Sequence, residues 1–182
     1  MVGLERGELD QEQVRLYDLI IGGPRAGDQG ASPIVDGNGC LVGPFGPMLL
    51  SPAIGEPLQE LGAAIRYRST LSPRVREGTI LMVAAQEVSG FEWSAHHALA
   101  RAAGLTEAEL AEIEAGGIPS GSTGEENALF EAALLLVHGG DMDDSRFQEL
   151  AGATNEKTLF ELCTLVGYYQ TLALVMRLFS IY

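Results

Sequence analysis

Basic residues are scarce in this chain: 11 lysines and arginines face 25 aspartates and glutamates over 182 residues, a formal net charge of -14. Such a surface repels phosphate backbones and anionic lipid heads, which argues against nucleic-acid and membrane-surface roles. Cysteine is scarcer still. Cys40 and Cys163 lie far apart in no ligand-like spacing, and read as incidental thiols of a protein in the reducing cytoplasm. The longest apolar stretch, Leu159–Tyr182, is interrupted by Glu161, Gln170 and Arg177, which argues against a membrane span. Met1–Asp10 is polar and charged, unlike a secretory leader. The glycines form no phosphate loop after a strand, so a nucleotide has no support. Alternating apolar patterns are nearly missing too, which leaves little room for a β-sheet.

What is present reads as an all-α protein. A length of 182 residues fits one domain spanning 1–182, and a domain this size buries about 70% of its unfolded surface, so it folds without a metal or disulfide. Gln11–Ile21 is a first helix. Gly22–Gly46 then gathers many of the glycines with Pro24, Pro33 and Pro44, and has no period. It is too long for an ordinary connection, so an extended arm is expected that wraps the surface, reaches a neighbouring subunit or lines a site. Ser51-Pro52 and Ser72-Pro73 each place a capping serine before a first-turn proline, opening helices to about Arg68 and Val88.

Within the second of these, Ile80–Ala85 is apolar on every side, which predicts the most buried helix of the protein. Ser89-Gly90 breaks or bends the chain, and a helix over Phe91–Ala103 closes at Gly104. Thr106 with Glu109, and Thr123 with Glu126, have the spacing of capping boxes for helices ending at Gly116-Gly117 and Gly139-Gly140. Asp144 is expected to cap a short helix, and Thr154 to begin a long one reaching about Phe179, with Gly167 small enough to admit another helix.

Histidine is the scarce chemistry worth following. Two of the three histidines, His96 and His97, fall in Glu92-Trp93-Ser94-Ala95-His96-His97, the third being His138. Glu92 and His96 are four residues apart, so a helix sets them on one face within hydrogen-bonding reach. A carboxylate beside an imidazole handles protons near neutral pH, although a surface ion pair has the same spacing. His97 points about 100° away from His96, which makes it a supporting or interface residue before a catalytic one. Adjacent, diverging histidines also fit a metal poorly, so no metal is expected.

From Arg76-Glu77 through Leu105 the sequence resembles the carboxymuconolactone decarboxylase family, which includes alkylhydroperoxidase D-like proteins. The matching residues are Arg76-Glu77, the apolar helix, Phe91-Glu92-Trp93, His96-His97 and Ala102-Ala103-Gly104-Leu105. Leu16-Tyr17-Asp18, Gly23-Pro24-Arg25, Gly43-Pro44-Phe45, Ser51-Pro52, Leu159-Phe160-Glu161-Leu162 and Gly167-Tyr168-Tyr169 extend the likeness loosely to both sides. The family's thiol-dependent branch carries a glutamate, two cysteines separated by two residues, and a histidine four residues later. Matching that histidine to His96 puts the cysteines at Ser89 and Glu92 and the glutamate at Glu77. With both sulfurs replaced, a dithiol peroxidase is excluded on chemistry. The resemblance is to the cysteine-free, decarboxylase-like branch.

That resemblance implies a helical bundle of the alkylhydroperoxidase D type, a homo-oligomer (trimer or hexamer), and a cofactor-free lyase acting on a small carboxylated lactone or related unsaturated acid. His96 would donate the proton, Glu92 would orient it and raise its pKa, and Glu77 would relay the proton. By position alone Glu77 is a first-turn carboxylate on the helix dipole. Arg25 in the arm could bind the substrate carboxylate and Trp93 could face its ring, although solvation and packing are their plainer readings. A hydrolase or isomerase using the same pair, and a non-catalytic helical oligomer, are the alternatives.

Overall fold

The computed structural model describes residues 3–24 and 33–181. Over these the protein is all-α: nine α-helices and one short 3-10 helix, with a single isolated bridge between Val35 and Leu41 where a strand might have been. Its Cα atoms cluster into two compact units, Met1–Arg68 with Leu174–Tyr182, and Ser69–Ala173.

In the first unit, α1 (Gln11–Ile21) starts at Asp10, whose carboxylate accepts from Gln13 N while the Gln13 side chain returns to Asp10 N. Leu16, Tyr17 and Ile20 form its buried face. Helix α2 (Phe45–Met48) begins inside the segment expected to be an extended arm, and α3 (Pro52–Arg68) packs on both α1 and α2. The near part of that arm is built around a turn. Asp36 accepts from Asn38 N and Cys40 N, both at 2.9 Å, and Tyr17 donates its hydroxyl to Gly39 O at 2.8 Å. Arg25 lies outside the described residues.

The second unit is organised by α4 (Pro73–Gln86). Ser72 caps it with Pro73 in the first turn, and residues Ile80–Ala84 are each no more than 3% exposed. An all-apolar helix must be covered all round, and α5 (Gly90–Ala102), α6 (Glu107–Glu114) and α7 (Glu125–Val137) pack against it. Helix α7 approaches closely at Gly78, where a Cβ would sit 2.6 Å from Phe130 Cε1. At its start, Arg74 donates to Glu109, to Glu126 at 3.2 Å and to Gly104 O at 2.6 Å, so one guanidinium joins α4 to the beginnings of α6 and α7.

The bend before α5 falls one residue earlier than Ser89-Gly90. Val88 takes the left-handed conformation (φ +53°), with Ser89 N donating to Ala84 O at 2.8 Å, and Ser89 then caps α5. A β-branched residue there is strained, and its side chain is 88% exposed. Helix α5 ends as expected at Gly104, φ +97°, with Leu105 N on Ala100 O. The Thr106–Glu109 capping box forms; the Thr123–Glu126 box does not, because Glu126 is turned to Arg74 and Gly124 opens α7 without a side-chain cap. Helix α8 (Asp144–Ala153) is capped by Asp143, one residue before the expected Asp144. Thr154 ends α8, and Asn155, accepting from Thr158 N, opens α9 (Glu156–Leu178). By length and composition α9 could cross a membrane, yet half of its apolar window is buried within the protein, as in a core helix.

Candidate active site

Three ionisable side chains that are almost fully buried meet in the second unit: Glu77 on α4, and Glu92 and His96 on α5. Glu77 is not in the first turn, as its proximity to Ser72-Pro73 suggested. It sits one turn deeper, 2% exposed, where the helix dipole no longer accounts for it. Its Oε2 is 2.7 Å from His96 Nδ1, and its Oε1 lies 3.3 Å from Arg76 Nε. Glu92, one helical turn before His96, places Oε2 3.3 Å from His96 Nε2. The imidazole is therefore held between two carboxylates, one on each nitrogen.

Electrostatics follow from that geometry. Burial alone would strip the proton from His96, but hydrogen bonds to Glu77 and Glu92, reinforced by their charges, outweigh it and raise the pKa to about 9. The ring is an imidazolium at neutral pH, donating through both nitrogens. With Arg76 beside Glu77, two negative and two positive formal charges balance in a region closed to water, the condition under which buried ions are tolerated. One atom is left over. Glu92 Oε1 is buried with no hydrogen-bond partner among the described residues. Because the imidazole stands between the two carboxylates, the trio does not converge on a point as metal ligands do, and the described residues hold no such cluster elsewhere.

The ring edge of His96 is fixed from α9. Tyr169 stacks on it in a T-shape, centroids 5.4 Å apart, and Tyr168 stands edge-on to Tyr169 at 5.2 Å. In the sequence Tyr169 stands only within the Gly167-Tyr168-Tyr169 likeness of the final helix, and no spacing ties it to His96 because the contact is between helices. His97 diverges from the trio: its side chain is 34% exposed, with Nε2 3.7 Å from Glu107 Oε2. Trp93 is half-buried, with its ring centroid 6.2 Å from that of His97. Ser89, at one of the two positions where the thiol branch carries cysteine, serves as the α5 cap.

Comparison with known proteins gives a family match over part of the chain and a likeness of fold over all of it. Residues 52–134 match the model of the carboxymuconolactone decarboxylase family, and this stretch contains Glu77, Glu92 and His96. No curated protein matches the chain. Among solved structures, a cysteine-to-alanine variant of the debrominase Bmp8 in complex with 2,3,4-tribromopyrrole superposes with a TM-score of 0.71 at 12% identity, covering 100% of this chain and 89% of that one. At that identity the likeness is one of fold.

Proposed function

We propose that this chain, with its carboxymuconolactone decarboxylase family segment over residues 52–134, is an acid–base lyase that decarboxylates a small carboxylated lactone or a related unsaturated acid. The observation that carries the reading is the buried Glu77–His96–Glu92 relay, which has two charged groups more than ordinary packing requires and perturbs the histidine strongly. In such a reaction the bond from ring carbon to carboxylate breaks, carbon dioxide leaves, and the electron pair passes through a double bond into the lactone carbonyl. A proton from the enzyme then forms the new C–H bond, and solvent restores it.

The geometry favours a division of labour different from the one the spacing suggested. Both nitrogens of His96 are engaged by carboxylates, so the imidazolium delivers a proton to substrate only by breaking one of those bonds. Glu92 has the spare valence. With His96 holding Oε2, Oε1 is free to carry a proton in the reactive state, give it to the substrate carbon and remain as part of a carboxylate. His96 then acts as the fixed positive charge that orients Glu92 and stabilises the carboxylate left after proton transfer, and Glu77 with Arg76 anchors it. Oε1 is shielded from bulk water, so substrate reaches it through local opening.

The same free oxygen suits an isomerase, which takes a proton from one carbon and returns it to another; carbon dioxide release separates the two. A screen of unsaturated lactone acids, following carbon dioxide and ring absorbance together, tests the proposal, with Glu92→Gln as its specific variant. The assembly we propose is a homo-oligomer, since α9 leaves Phe160 72% and Leu178 76% exposed; a monomer by light scattering at micromolar concentration would refute it.

A further inference from the structure

We propose that the cleft at the C-terminal ends of α4, α6 and α7 is a second small-molecule site, shaped for an apolar body about the size of one ring that carries a cationic amine. Its volume is about 170 Å³, and its floor is Met82, Ile113, Leu134 and Val137. A dry apolar cavity of roughly 150 Å³ is enough to hold benzene, so a single ring fits here. The cleft is separate from the acid–base trio: Glu77, Glu92 and His96 do not line it, and Met82 lies about 140° around α4 from Glu77.

The choice of a cation rests on the rim. Residues at the C-terminal ends of three helices line this opening (Ala85 and Gln86 of α4, Glu114 of α6, Val137 of α7), so three partially negative helix ends lie at its edge. None of the three has a basic residue in its last turn, whereas α3 ends with Arg66 and Arg68 and α5 with Arg101. The rim adds the Glu114 carboxylate, the Gln86 amide and the His138 ring. An ammonium placed there meets an anion, helix-end dipoles and acceptors, while its apolar body covers the floor. A carboxylate placed there meets the same groups with the wrong sign. This ligand class is thus opposite in charge to the substrate proposed for the trio, and its binding does not depend on that reading.

The test is a titration of the full-length protein carrying labelled methyl groups, using three probes of one shape: benzylamine (cationic), benzyl alcohol (neutral) and benzoate (anionic). A probe of eight heavy atoms should bind at about millimolar Kd. Benzylamine is expected to shift the Met82, Ile113, Leu134 and Val137 methyls, about tenfold more tightly than benzyl alcohol, with benzoate weakest. Glu114→Gln, an exposed and structurally mild change, should weaken benzylamine about threefold and leave benzyl alcohol unchanged. Ala85→Leu, at the cleft wall, should abolish both shifts; if that variant does not fold, the Glu114→Gln comparison decides alone. Equal binding of benzoate, shifts confined to other methyls, or no shift with any probe at several times the expected Kd would each overturn the proposal.

Discussion

Alkaline pH should loosen this protein through one histidine. His96 has its pKa raised to about 9 from an ordinary value of 6.5 by the two carboxylates that face its nitrogens. Its folded form holds the proton more tightly than the unfolded chain, so the linked stability is fully present below about pH 6.5 and is lost as pH rises through about 9. The step from 6.5 to about 9, at about 1.4 kcal/mol per pH unit, amounts to about 3–4 kcal/mol, or roughly 6–16 °C in Tm for a chain of this length. His96→Gln keeps the helix and one amide donor but leaves two buried carboxylates without a cation. That change should cost about 3–5 kcal/mol at neutral pH. The variant should also reverse the trend, growing more stable towards mild acid as one glutamate protonates. Thermal denaturation followed by circular dichroism between pH 5 and about 10 reads both effects, and His97→Gln, at a half-exposed position, is the control. A wild-type Tm that is flat from pH 6.5 to 9 beyond the His97→Gln control, or a His96 ring nitrogen that titrates near 6.5 by NMR, would refute the reasoning.

Three other outcomes follow from the same structure. Glu109 resists its burial through hydrogen bonds from Arg74 and Thr106 and has its pKa lowered to about 2, so stability should fall as pH drops from about 4.5 through 2, a decline that Glu109→Gln should flatten in acid melts. Val88→Gly relieves a left-handed β-branched residue at about 1–2 kcal/mol and returns part of that as chain entropy, for a net gain of ~0.5–1 kcal/mol measured by urea denaturation. Gly78→Ala should destabilise by about 1–3 kcal/mol in the same assay, because the new methyl meets the ring of Phe130, which is fully buried.

The fold was legible where local chemistry decides it. Ser72-Pro73, Gly104 and the Thr106–Glu109 pair marked helix ends that the structure places there, and the apolar circumference of Ile80–Ala85 marked the buried helix, with Ala85 at its end only half-buried. Long-range partners were not legible. Thr123–Glu126 has the spacing of a capping box, but Arg74, distant in sequence, claims Glu126. Ser89-Gly90 looked like the natural hinge, but the positive φ falls on Val88, whose exposed side chain adds no packing clash to the backbone strain. In the candidate site, Glu92 and His96 could be paired from their spacing alone. That Glu77 takes the other nitrogen came into view through resemblance, and the contact of Tyr169 with His96 not at all, since no helical period reports a contact between helices.

Carbon dioxide release from carboxylated unsaturated lactones, measured in deuterated water for the wild type and Glu92→Gln, tests the central claim most directly. Wild-type protein should release carbon dioxide from at least one such acid and leave one deuterium on the product carbon. Glu92→Gln, folded and with its His96 still protonated by NMR, should be slower by about 100-fold or more, the scale for loss of a general acid. Near-wild-type turnover in that variant, or no carbon dioxide from any lactone acid in the screen, would contradict the account.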